Sequence, residues 1–198
     1  MNVHTREMTK SRLGWRQGMM SLATLATVLL LPACRQTTVA EPLATELFNN
    51  DPDTQMAFWH TLGERSLASN DEALHGVLLY LDGEDHAASY AERMTQLKAR
   101  NILPTDFDRP GNEALNRGTL ALLISRMADI RGGVFMRLFP DSARYATREL
   151  QYTGLYPRSS PHQVFSGAEF LGVMGRLEDY QRIRPLDAGE TSETPRPE

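Results

Sequence analysis

The stretch SYAERMTQLKARNILPTDFDRPGNEALNRGTLALLISRMADIRG, residues 89–132, decides the fold. It reads as helix, loop, helix. Ala87, Tyr90, Ala91, Met94 and Leu97 recur at the spacing of one buried helical face. Asn101 ends that helix, because asparagine tolerates the left-handed conformation that follows a last turn. Ile102 to Gly111 is a loop with two prolines. Asn116 then caps a second helix whose apolar stripe is Leu120, Leu123, Ile124 and Met127, with Gly132 beyond its end. Neither helix can bury its stripe alone, so the unit needs neighbours.

The chain supplies one on each side. In Tyr145 to Ile183, Tyr145-Ala146 stands where Tyr90-Ala91 stood, and Leu155-Tyr156-Pro157 follows like Ile102-Leu103-Pro104. Ser166-Gly167-Ala168-Glu169 is a capping box opening a helix with the stripe Phe170, Met174 and Leu177. Upstream, Asp51-Pro52 opens a helix carrying Met56, Trp59 and Leu62, ended by Gly63. Asn70 or Asp71 opens the next, carrying Leu74, Val77, Leu78 and Leu81. Openings about 40–55 residues apart fall in the range of helical repeats. The expected fold is therefore all-α: a helical bundle of about three helix–loop–helix repeats over residues 51–184. Val134 to Phe139 is too apolar for a free loop and is expected to pack as a short strand or helical turn. Asp141 or Ser142 then caps a helix with Ala143, Ala146, Leu150 and Thr153 inward.

Residues 1–33 read as a targeting segment. Arg6, Lys10, Arg12 and Arg16 form a basic region, and Met19 to Leu31 is a mostly apolar run too short to span a bilayer. Leu31-Pro32-Ala33-Cys34 places a small residue before the sole cysteine. The segment resembles a bacterial lipoprotein signal peptide with its lipobox, although Pro32 is unusual there and Met8 is an alternative start. The resemblance implies that Cys34 is acylated and becomes the first residue of the mature chain. Acyl chains on one cysteine suffice for stable membrane attachment. Arg35 rather than Asp after the cysteine points to the outer membrane, facing the periplasm. An ordinary secretory signal with an incidental cysteine is the competing reading. Residues 34–50 are expected to be a tether, with a short helix at Pro42–Phe48, and 185–198 a disordered Pro-, Glu- and Thr-rich tail.

Composition excludes several classes. The formal charge is −4, so no general basic surface calls for nucleic acid. One cysteine permits no intrachain disulfide and no four-cysteine zinc site. The histidines lack metal-ligand spacing, and no nucleophile elbow or phosphate-binding glycine loop is present. No catalytic constellation, cofactor or metal is expected. Asp82 to His86 reads as a solvated acidic turn. Trp59, Tyr90, Tyr145, Tyr152 and Tyr156 are candidates to stack on sugar rings. Arginine outnumbers lysine nineteen to two, which codon bias explains as readily as anion binding.

The repeated unit resembles the S-layer homology (SLH) domain. That family has an aromatic-Ala helix, a Gly-Ile-Ile-like exit, a loop with Phe and Pro, and a second helix opened by Thr-Arg-Ala-Glu-Phe. Tyr90-Ala91, Asn101-Ile102-Leu103, Phe107, Pro110 and Asn116-Arg117 fall in that order, and Ser166-Gly167-Ala168-Glu169-Phe170 is the nearest copy of the helix opening. Arg176 sits where that helix often carries Arg. The motif's Arg is Gly167 in the third unit, and its Glu is Thr119 in the second. The resemblance implies units in threes that bind peptidoglycan or anionic polysaccharide, with Arg117 as the one residue able to inherit the ligand-binding role. The expected function is a lipid-anchored envelope protein binding cell-wall polymer. The alternative is a protein–protein module, an accessory subunit of an envelope or secretion assembly.

Overall fold

The computed structural model describes residues 37–190, with side chains through Ile183. The expected signal segment and Cys34 lie outside the described residues. Seven α-helices follow a 3-10 turn at Thr45–Leu47: α1 (Pro52–Gly63), α2 (Asn70–Asp82), α3 (Tyr90–Ala99), α4 (Arg117–Met127), α5 (Val134–Leu138), α6 (Ala143–Tyr152) and α7 (Gly167–Glu190). Only isolated antiparallel bridges accompany them among the described residues. The fold is all-α.

Local chemistry starts α1 and α4 at the caps expected for them, while α3 starts at Ser89, after the Ala87 that its stripe was expected to include. Asp51 accepts from the Thr54 amide, Ser89 from Glu92, and Asn116 from Thr119. At α2 the cap is one residue earlier than expected: Ser69 and Glu72 form a reciprocal capping box. Asn101 adopts φ 56°, the left-handed stop anticipated for it.

The three helix pairs α1/α2, α3/α4 and α6/α7 meet at the openings of their second helices. The residue before each cap closes a cycle of backbone hydrogen bonds. Leu115 N–H donates to Ala68 O (2.8 Å), Ala68 N–H to Phe165 O (2.9 Å), and Phe165 N–H to Leu115 O (3.1 Å). The caps Ser69, Asn116 and Ser166 stand 47 and 50 residues apart, within the expected repeat spacing. The second and third units match further. Leu103 N–H donates to Leu97 O, and Tyr156 N–H to Leu150 O, the same six-residue exit. The tenth residue after each cap is an arginine that ties down that exit: Arg126 donates to the Asn101 and Ile102 carbonyls, Arg176 to Leu155 O. Counting back from the matched exits puts Ala146 at the place of Arg93. The sequence pairing of Tyr145-Ala146 with Tyr90-Ala91 is thus out of register.

α4 is the central element. Its nine residues from Arg117 to Ser125 are all buried, whereas periodicity suggested one stripe. A helix buried on all sides has no polar face to set its phase. It packs mainly on α6, while α1 packs on α7 and α2 on α3. Gln181 of α7 links two of these layers, accepting from the Tyr80 hydroxyl (2.5 Å) and donating to Met127 O (3.1 Å).

Several expectations are corrected. Met56 is 72% exposed, and Phe58 takes its place in the core with Leu62. Ala91 is exposed, and Arg93 occupies the buried face of α3 beside Leu97. The 34–50 tether is built into the domain from its first described residue. Ala114 N–H donates to Thr37 O, Val39 N–H to Asn112 O, and Leu43 N–H to Glu72 Oε1. Val39 and Leu43 are buried. α7 continues through Pro185 to Glu190, past the point where composition ended it. Extending a formed helix costs far less than starting one, so composition alone misplaces such an end.

Candidate functional site

The openings of the second helices converge, but they converge on each other. The Arg117 amide donates to Gln163 O, that of Gly118 to Pro161 O, and that of Thr119 to the Asn116 side chain. On α2 the same three positions donate to Glu113 O, Gly111 O and Ser69 Oγ. The donors that make a helix N-terminus attractive to anions are therefore already used. Arg117 is only 7% exposed. Its guanidinium lies 4.6 Å from the Phe165 ring centroid and binds Glu169 Oε1 at 2.5 Å. The backbone amide of Ser166 holds the Glu169 carboxyl below its ordinary range against a burial penalty, and Arg117 adds to that. Tyr156, buried beneath, donates to Arg117 O at 3.3 Å, and burial pushes its hydroxyl well above the usual range. Arg117 thus joins the second unit to the third. The reading of it as a polymer contact is corrected, because its charge is committed across 52 residues of chain.

At Gly167, where the expected SLH-like opening would carry arginine, the packing admits only glycine. A Cβ there would stand 1.6 Å from Leu62 O, so the close approach of α7 to the α1 exit leaves no room for the motif's arginine.

A second polar cluster was not legible as one. The expected solvated turn at Asp82 to His86 instead sends Asp85 inward, its side chain 0% exposed. Asp85 meets His75 Nδ1 at 2.6 Å and accepts from Arg93 Nε at 2.5 Å and the Ala87 amide at 2.9 Å. Arg93 also reaches Asp71 Oδ1 at 2.7 Å and lies under the Phe48 ring. Burial alone would raise the Asp85 carboxyl. The hydrogen bonds from His75, Arg93 and Ala87, with the Arg93 charge, outweigh it and hold the carboxyl low. A buried Asp–His pair supplies two of the three members of a nucleophilic triad. Here the other ring nitrogen, His75 Nε2, has no hydrogen-bond partner among the described residues, and the Phe48 and Phe58 rings close over the imidazole at 4.8 and 4.6 Å. The cluster is a lock between α2 and α3. The available signal was Arg93 itself, at helical spacing between Tyr90 and Leu97.

The open surface lies on α5 and α6. Val134, Phe135, Leu138 and Phe139 are 54–70% exposed, and only Met136 of that run turns inward. The expected packing of Val134 to Phe139 is corrected to this extent: the helical turn forms, but its apolar side chains face out. Tyr145 of α6 is stacked between Phe135 (5.6 Å, 18°) and Phe139 (5.9 Å, 28°). Arg137, Arg144, Arg148 and Arg158 are exposed and have no acidic partner among the described residues. Of the proposed sugar-stacking rings, Tyr156 is buried, while Trp59 and Tyr90 are half-buried in the core, with Tyr90 donating to Arg109 O. Tyr152 is open at 88% exposure.

A groove of about 510 Å³ runs between residues 38–41 and the α1 exit. Its Arg65 is already engaged by the Glu41 carbonyl and Glu72. Among the described residues no group of three His, Cys, Asp or Glu could hold a metal, and no helix is long and apolar enough to cross a membrane. No family model, curated protein or solved structure matches the chain.

Proposed function

We propose that the chain is a lipid-anchored cell-envelope protein whose helical domain is a non-catalytic docking module, working through the α5–α6 face. One observation carries this. Four large apolar side chains of the α5 segment are exposed beside Arg137 and next to α6 with its exposed Arg144 and Arg148, none of the three with an acidic partner among the described residues, in an otherwise acidic domain. Residues 126–163 carry six arginines and three carboxylates, whereas residues 37–125 carry fourteen carboxylates against six Lys and Arg. An apolar patch of this kind on a single domain marks an interaction surface, and the charge contrast selects an anionic partner in the envelope. The lipobox-like run before Cys34 supports the anchor, and Arg35 supports the outer membrane.

The test is amide hydrogen exchange on the full chain, with and without isolated envelopes. Amides of α5 and α6 are expected to slow selectively with envelopes. Unchanged exchange there overturns the docking reading. For the anchor, Cys34→Ser is expected to abolish fatty-acid labelling and leave precursor; normal labelling of the variant removes it.

Cell-wall polymer binding is the second reading. The cyclic junction of three repeated helix openings favours it, since it is the arrangement an SLH-like protein built in threes requires. Sedimentation with purified sacculi tests it. Because Arg117 is internal, Arg117→Ala should lower stability rather than sacculus binding.

A further inference from the structure

We propose that the α5–α6 face rests on an anionic phospholipid surface, with Val134, Phe135, Leu138 and Phe139 entering the headgroup layer and Arg137, Arg144 and Arg148 pairing with lipid phosphates. This builds on the docking reading by naming the partner. Val134, Phe135 and Leu138 sit on a five-residue helix, with Phe139 directly after it, and the main packing of that helix is against α6. At 54–70% exposure, four such side chains present roughly 400 Å² of apolar surface, as large as the biggest patch on a typical monomer. They form a tip rather than a groove: Met136 is the only buried residue of the helix. A protein anchor residue usually fills a pocket; a tip of Phe, Leu and Val with arginines beside it suits the boundary between headgroups and acyl chains.

The charges fit this occupant. Arg144 and Arg148 are four apart on α6, so they lie on one face, with Tyr152 four further on. Tyr145 backs the tip by stacking on both phenylalanines. The nearby acids are largely spoken for: Asp141 pairs with Arg126 and Asp129 with Arg131, while Glu149 bonds the Gly133 amide. The surface therefore keeps its net positive charge. Such arginines each strengthen attachment to an anionic leaflet, and the attraction fades within a Debye length.

The experiment is amide exchange on the full chain reconstituted in vesicles of phosphatidylcholine alone, or with phosphatidylglycerol added. Amides of α5 and the first turns of α6 are expected to slow only in the anionic vesicles. The slowing should fall about fivefold for each arginine removed in Arg144→Gln and Arg148→Gln, and should vanish in Phe135→Ser/Leu138→Ser. These side chains are exposed, so circular dichroism should match the parent. Equal exchange in the two vesicle types overturns the proposal. If isolated envelopes slow these amides and anionic vesicles do not, docking stands and the lipid partner is wrong. Slowing that instead follows protein concentration without vesicles identifies a second copy as the occupant and likewise overturns it.

Discussion

Asp85→Asn is the sharpest probe of how the domain is held together. The substitution keeps the shape of the side chain and removes its charge. Asp85 receives three donors, from His75, Arg93 and the Ala87 amide, in a site with no solvent exposure. An asparagine must turn its NH₂ towards at least one of them. Arg93, whose side chain is 6% exposed, then keeps one charged partner, Asp71, itself 33% exposed, beside a bond of 3.4 Å to Ala87 O. Orphaning one member of a buried ion pair costs about 3–5 kcal/mol, a large part of the 5–15 kcal/mol typical of a domain. Urea unfolding at pH 7 should report that loss as a lower midpoint with an unchanged slope. Glu178→Gln breaks the exposed Arg182 pair and is the control, at under about 1 kcal/mol. Adding Arg93→Met to Asp85→Asn removes the stranded cation, so the pair should cost less than the sum of the singles. The pH dependence has a definite sign. The Asp85 carboxyl is lowered in the folded state. Its contribution is complete above the unfolded value of about 3.9 and is lost as pH falls through the folded value. The parent should therefore lose its advantage over Asp85→Asn below about pH 4. If Asp85→Asn proves as mild as Glu178→Gln, the lock is not a lock and this reasoning fails.

Gly167→Ala should cost about 3 kcal/mol or more, because its Cβ meets backbone at Leu62. Gly175→Ala, with open space around it, should stabilise by about 0.5–1 kcal/mol; thermal melts separate the two. Leu123→Ala, fully buried, should cost about 2–5 kcal/mol, whereas Met56→Ala should stay within about 0.5 kcal/mol. Equal denaturant midpoints for that pair would overturn the phases assigned to α1 and α4. Ser166→Ala should cost about 1 kcal/mol, and Ser69→Ala up to about 2, since Glu72 in its capping box is also buried and holds the Leu43 amide.

The sequence by itself determined what is local. Helix starts are set by a side chain and an amide three residues away, so Asp51, Asn116 and Ser166 announce them wherever the chain goes. Helix stops depend on one residue's backbone freedom, which is why Asn101 was readable. The recurrence of these signals gave three helix pairs. Faces were another matter. A stripe sets a helix's phase only if one side meets water, so α4, buried all round, and α1, where Phe58 displaces Met56, went past what periodicity can say. The fate of charges depended on partners far along the chain. Arg117 looked like an open donor until Glu169 arrived, and Asp85 looked solvated until His75 and Arg93 closed on it. The same holds for Gly167, a missing motif residue in the sequence and a packing necessity in the fold. The α5 run shows the converse: its apolar residues promised burial, but only the packed neighbours decide whether a surface is left to cover them, and among the described residues none is.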